Sequence, residues 1–422
     1  MVMFDAVYSG KFYYRGDFAQ LMIGVEDGKI SKISRLITGQ KVVELGGSVF
    51  PASTDIHVHF RDPGETEKED FETGSMSALF GGTTTVFDMP NNSIPVMDYD
   101  SYRNKLAAIR NRSYVDFGLY SLFNGRNSDL LDSESAGFKV FLGGSTNSVV
   151  MNDYLERDME NIRSADKPAI FHAEDQGCLD AHKMEEKTLQ DHDRARPEEC
   201  EEKAVESVSG YAIPKSIIAH VSSAGSQEKF TGKIMEVTPH HLLLNDEMDL
   251  GSWGKVNPPL RSRETQSRLF QNYLDGRFSV ISSDHAPHLE EDKEDFQYAK
   301  SGIIGVETRV PLLLSLVRRK ILPLAVFIRT AIETPPELFG LRKGKIEPGY
   351  AADFISVDFA SEGRINQEKL HSKVPVSPFN GRYAVFPSSV VLSGEVVLEN
   401  RELIMDRLGR YIPFRTGKDS HE

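Results

Sequence analysis

Apolar, β-branched runs alternate with longer amphipathic stretches through the middle of the chain. Eight of these runs predict strands, at 49–60, 83–89, 115–122, 138–142, 169–172, 216–221, 234–241 and 278–283. The stretches 68–80, 99–112, 152–164, 198–211 and 264–273 carry helical spacing, and 307–319 predicts a closing helix. Parallel neighbours need crossover connections, so eight strands alternating with helices predict an α/β fold, a (β/α)8 barrel of the TIM type.

The flanks follow another pattern. Short alternating runs at 6–18, 21–25 and 30–33, and again at 353–357 and 389–398, are punctuated by glycines. Neither end is rich enough in apolar residues for its own core. Residues 1–50 and 345–422 are therefore expected to join as one small β-sandwich domain beside a barrel spanning 51–344. A length of 422 residues suits that division. The charged runs 153–160 and 185–202 read as solvated surface.

Composition narrows the field without naming a reaction. Hydrophobic residues at 39% and charged residues at 27% exclude wholesale disorder. No run approaches the roughly 20 apolar residues of a membrane span, and the first residues lack the pattern of a secretory signal. With 49 basic against 63 acidic residues the net charge is −14, and no basic patch invites nucleic acid. Two cysteines, Cys178 and Cys200, are too few for a disulfide framework and show no paired metal-ligand spacing, which reads as a cytoplasmic protein.

The chemistry gathers at the predicted strand ends, where barrels of this type converge their catalytic groups. His57 and His59 alternate on one strand and so share a face. His172, His220 and Asp284 end three further strands. Four imidazoles and a carboxylate form the ligand set of zinc-like ions. A lone strand-end histidine is usually structural, yet of the 12 histidines only His182, His192, His371 and His421 lie away from such ends. Lys139 interrupts an apolar strand and leaves two readings open, an ion pair with a carboxylate from elsewhere or a carbamate formed with carbon dioxide. The carbamate is preferred because it removes the burial cost.

The segments DIHVHFRDPGETEKEDFETG, GGTTTVFDMPNN, GFKVFLGG, FHAED, HVSS, VTPHHLLL, NPPLRS, SSDHAPH and GVET stand in the order found in cyclic amidohydrolases. Over nearly its whole length the chain resembles the dihydroorotases. The resemblance implies two zinc ions, one on His57 and His59 and the other on His172 and His220, bridged by Lys139 as N6-carboxylysine. It makes Asp284 both a metal ligand and the general base of a reversible cyclisation of N-carbamoyl-L-aspartate to L-dihydroorotate, run through a bridging hydroxide. Dihydroorotate carries a carboxylate, which the planar fork of Arg61 can grip bidentately. Asn91 and His288 are expected to add donors, Asn257 and the backbone at Gly302 to touch the ring, and Thr146 to ride on a mobile loop, 143–148. His240 and His241 are expected to be supporting residues, and His285 to hold Asp284. The partner implied is a small molecule, and the pattern is compatible with a homo-oligomer. Arg61 separates this reading from hydantoinases, dihydropyrimidinases and allantoinases. A metal-free structural relative, serving a partner such as aspartate transcarbamoylase, would show gaps in the ligand set, and none is missing.

Overall fold

The chain opens with a meander in which β1 (Ala6–Tyr14) pairs antiparallel with β2 (Asp17–Glu26) and β2 with β3 (Lys29–Ser34), while β4 (Val43–Pro51) lies parallel to β1. These strands belong to a computed structural model that describes residues 3–414 except 39, 126, 128–133, 152–155, 212 and 231–232. The run predicted at 6–18 breaks where Arg15 and Gly16 both take positive φ, at 53° and 91°, and turn the chain back.

A second set of strands begins immediately. The run predicted at 49–60 divides at Ala52, just after Pro51, so β4 stays in the first sheet and β5 (Ser53–Val58) starts the next. After β5 come β6 (Thr83–Asp88), β7 (Asp116–Leu119), β8 (Ser121–Leu122), β9 (Phe138–Phe141), β10 (Ala169–His172), β11 (Ser216–Ile218), β12 (Ile234–Val237) and β13 (Val280–Ile281). They pair in parallel as β5-β6-β7 and β8-β9-β10-β11-β12-β13. Only Tyr120 separates β7 from β8, and an isolated parallel bridge joins Val58 to His285 beyond β13. Nearly every strand residue here is buried, as expected for parallel strands covered on both faces. Arg309, fully buried, ties the ends of the series together: its Nε lies 3.1 Å from Asp55 Oδ2, and it donates to Ile281 O and Ser53 Oγ. The result is a TIM-barrel-type α/β unit beside a β-rich sheet.

The crossovers carry α1 (Phe71–Phe80), α2 (Tyr99–Ile109), α3 (Glu156–Ser164), α4 (Gln176–Ala181), α5 (Leu189–Ala195), α6 (Glu198–Gly210), α7 (Ala224–Lys229), α8 (Pro239–Leu243), α9 (Arg263–Leu274) and α10 (Val306–Arg318). Asp70 starts α1 later than predicted by forming a capping box with Thr73. The strand predicted to continue to 241 stops at Val237, because Thr238 caps α8 and Pro239 fits its first turn. Part of the helix predicted at 152–164 lies outside the described residues. The run 185–202 is not simply solvated surface. Glu201 on α6 is 2% exposed and accepts hydrogen bonds from Ser222 and Ser223.

Past the parallel strands, β14 (Phe354–Val357) adds antiparallel to β4. A small pair, β15 (Gly363–Arg364) and β16 (Tyr383–Ala384), follows, and β17 (Ser389–Leu392), β18 (Glu395–Glu399) and β19 (Glu402–Leu403) complete the first sheet. The predicted strand 389–398 is thus a hairpin, turned by positive φ at Ser393 and Gly394. Tyr8, Phe12, Val49, Phe354 and Val391 pack in the core of this sheet. No helix among the described residues is long and apolar enough to cross a membrane.

Cys178 and Cys200, expected to be too few for a disulfide framework, are joined in one disulfide between α4 and α6, so the cysteine usage does not itself point to the cytoplasm. The fold brings the two segments together where Asp175 N–H donates to Cys200 O at 2.9 Å, a contact no spacing rule reveals. Linking residues 22 apart should stabilise the chain by about 3 kcal/mol. Cys178→Ser is therefore expected to lower the thermal unfolding midpoint in non-reducing buffer, and reductant should bring the wild type down to the same value. Equal midpoints without reductant would contradict the crosslink.

Candidate active site

The side chains that end the strands converge on one point. His57 Nε2 lies 3.3 Å from Asp284 Oδ1 and 3.3 Å from Lys139 Nζ, and His59 Nε2 lies 3.1 Å from the same Asp284 oxygen. On the other side of Lys139, His172 Nδ1 faces His220 Nε2 at 3.1 Å. The rings of His57 and His220 are 5.4 Å apart, which joins the two halves. One ligand atom from each of His57, His59 and Asp284 falls within a 4.8 Å cluster.

Two buried glutamates, which the sequence reading passed over, orient these imidazoles. Glu236 on β12 accepts from His57 Nδ1 at 2.8 Å and from the His220 backbone N–H at 3.1 Å. Glu174, just past β10, accepts from His172 Nε2 at 2.8 Å and is paired with Arg196. A carboxylate holding one ring nitrogen's proton fixes the tautomer and turns the other nitrogen's lone pair toward the centre. A glutamate alone in the apolar run Ile234–Val237 was the available signal for Glu236.

Electrostatics favour the same arrangement. Burial pushes His59 down to about 3, despite the pull of Asp284. Burial also lowers His172 and, with His172 and Lys139 nearby, His220. Burial alone would raise Asp284, yet His57 and His59 hold it well below the usual carboxylate range. Lys139 has no carboxylate within ion-pair distance among the described residues. Its Nζ sits over the Phe141 ring, and burial lowers it to about 8. His172 Nδ1 and His220 Nε2 face one another at 3.1 Å, and the buried His220 Nδ1 has no partner, so these neutral rings keep nitrogen lone pairs available at the centre. Such a donor set fits divalent cations. Arg61, His220 and Asp284 all take left-handed backbone, with φ of 59°, 37° and 47°, strain that collects at functional sites.

Above the cluster, Arg61 is 2% exposed and makes no ion pair among the described residues. Its Nε donates to Pro287 O at 3.3 Å, its Nη2 lies 3.2 Å from His288 Nε2, and its buried Nη1 has no partner. Asn91 donates to Thr146 O at 2.9 Å and leaves its buried Oδ1 free. Asn257 accepts from Ser301 Oγ at 3.0 Å and meets His192 Nε2 at 3.0 Å. Thr146 reaches Ser301 O at 3.3 Å, so the 143–148 segment spans the cavity. Arg61, Asn91, Asn257, Thr146 and Gly302 all line it over the histidines.

His288 stands beside Arg61, its Nε2 3.2 Å from Arg61 Nη2 and 3.0 Å from Ser301 O. Gly302 lines the cavity, its N–H donating to Lys255 O and its carbonyl accepting from Lys293 Nζ with a second lone pair left over. His285 does not hold Asp284: its Nε2 lies 3.3 Å from Glu69, and its Nδ1 accepts from Gly305 N–H. His241 is structural as expected, tied to Thr238 and Pro258 O. The other cluster of potential ligands, Cys178, His182 and Cys200, offers no thiolates because its sulfurs are bonded together.

Comparison with known proteins assigns the family. Residues 48–397 match the model of the Amidohydrolase family. The chain is 54% identical to the dihydroorotase of Thermoplasma acidophilum, covering 97% of this chain and 98% of that protein. It is 36% identical to the dihydroorotase of Methanosarcina mazei, over 92% of each chain. Among solved structures, an L-hydantoinase (dihydropyrimidinase) from Arthrobacter aurescens superimposes with a TM-score of 0.92 at 25% identity, over 97% of this chain and 100% of that one.

Proposed function

Because the chain belongs to the amidohydrolase family, and within it to the dihydroorotases, we propose that it interconverts N-carbamoyl-L-aspartate and L-dihydroorotate in pyrimidine biosynthesis. The carrying observation is Arg61, a buried guanidinium with an unpaired N–H beside the histidine cluster. A carboxylate on the substrate would satisfy that donor and offset its burial. His57, His59 and Asp284 would hold one zinc ion and His172 and His220 a second, with Lys139 bridging them as N6-carboxylysine. When bound, such a pair polarises an amide carbonyl and lowers the pKa of water.

The chain's own groups do the rest. Arg61 and Asn91 grip the carboxylate, and Asn257 and the Thr146 segment confine the ring. In the hydrolytic direction Asp284 accepts a proton from the attacking water and returns it to the ring nitrogen as the C–N bond breaks. Cyclisation reverses these steps. The same reading takes the parallel strands as a closed barrel over 51–344 and the two chain ends as one β-sandwich domain, in a cytoplasmic enzyme that can form a homo-oligomer.

Hydantoinase-like activity is the second reading, favoured by the likeness to the Arthrobacter structure. Parallel assays with L-dihydroorotate, hydantoin, dihydrouracil and allantoin separate the two. Preference for dihydroorotate is expected, and preference for any of the others would overturn the assignment. Glu236→Gln should keep the fold and weaken zinc affinity by about 10–100-fold, measured by competition with a chelating dye. Unchanged affinity would remove Glu236 from the support of His57.

A further inference from the structure

One polar chain runs from the ion site to the segment over the substrate cavity, and it passes through Arg196. This residue follows α5, is mostly buried, and uses its guanidinium in two directions. Its Nε donates to Glu174 Oε1 at 3.0 Å, and its Nη2 pairs with Glu174 Oε2, the same oxygen that holds His172 Nε2. Nη2 also donates to Gly144 O at 2.9 Å. The segment is seated on this pair: a Cβ at Gly143 would stand 2.6 Å from Glu174 O, and Gly144 N–H donates to Gln176 Oε1 at 2.8 Å. Two residues on, Thr146 accepts from Asn91 and reaches Ser301.

Arg196 is itself held firmly. Its carbonyl accepts from Arg261, which also pairs with Asp193. The disulfide anchors the same region, because Glu174 and Arg196 each precede a bonded cysteine by four residues.

We propose that Arg196 is a positioning residue that couples the orientation of His172 to the placement of the 143–148 segment, so that ion binding and substrate binding support each other. The planar fork suits this role because Nε and Nη2 grip both oxygens of Glu174 in fixed geometry while Nη2 also holds the Gly144 carbonyl, an arrangement that a flexible, pointlike ammonium does not reproduce. The proposal rests on the function assigned above only for what the segment confines.

The test compares Arg196→Met and Arg196→Lys with the wild type by zinc affinity, by hydrogen exchange of the amides at 143–148, and by KM against kcat for L-dihydroorotate. Arg196→Met should weaken zinc affinity by about 10–100-fold and speed exchange in the segment. Arg196→Lys should keep zinc affinity within about threefold while exchange still quickens and KM rises more than kcat falls. Wild-type zinc affinity and exchange in Arg196→Met, with only a lower unfolding midpoint, would overturn the coupling. So would equal loss of both properties in the two variants. Zinc affinity and exchange need no substrate, so they judge Arg196 even if dihydroorotate proves to be the wrong ring. If Arg196→Met fails to fold, the lysine variant still decides.

Discussion

Asp284→Asn is expected to lower turnover of L-dihydroorotate by about 10²–10⁴-fold while zinc stays bound. Asparagine keeps the volume of aspartate and one oxygen toward His57 and His59, but it cannot take a proton from water. The fold should tolerate the change, because Asp284 sits at φ 47°, a left-handed conformation that asparagine adopts readily. The present carboxylate is held ionised by His57 and His59 against the effect of burial, the state a general base requires. Steady-state kinetics with zinc quantified on the same sample provide the check. Turnover near that of the wild type, with zinc retained, would remove Asp284 from proton transfer.

Arg61→Ala should have the next largest effect, and on a different parameter. Loss of a buried, charge-assisted contact to a carboxylate costs about 2–5 kcal/mol, so KM for dihydroorotate should rise by about 30-fold or more with a smaller change in kcat. Residual activity on dihydrouracil, which has no carboxylate, should not fall in parallel. The fold should tolerate this substitution too, because Arg61 already occupies a left-handed position without help from a glycine and makes no ion pair among the described residues. An unchanged KM would mean that another group binds the acid.

What could be read from the sequence was whatever depends on local spacing. Alternation along β5 put His57 and His59 on one face, and hydrophobic runs marked most strands to within a few residues. Readings failed where tertiary partners decide. The run 49–60 reads as one strand although Pro51 interrupts it, and its two halves pair with different neighbours in different sheets. Glu174 and Glu236 gain their roles from ring nitrogens on neighbouring strands, so no motif rule flagged them. His285, expected to hold Asp284, instead faces Glu69, a partner on a distant segment that follows no local spacing. The disulfide was hidden for a related reason, since α4 and α6 meet only in the folded chain.

The most direct measurement strips the protein with a chelator and titrates zinc back while following the interconversion of N-carbamoyl-L-aspartate and L-dihydroorotate. Activity should be absent in the stripped protein and rise to a plateau at two zinc ions per chain. Full activity without metal, or a zinc-saturated protein that leaves both compounds untouched, would contradict the assignment.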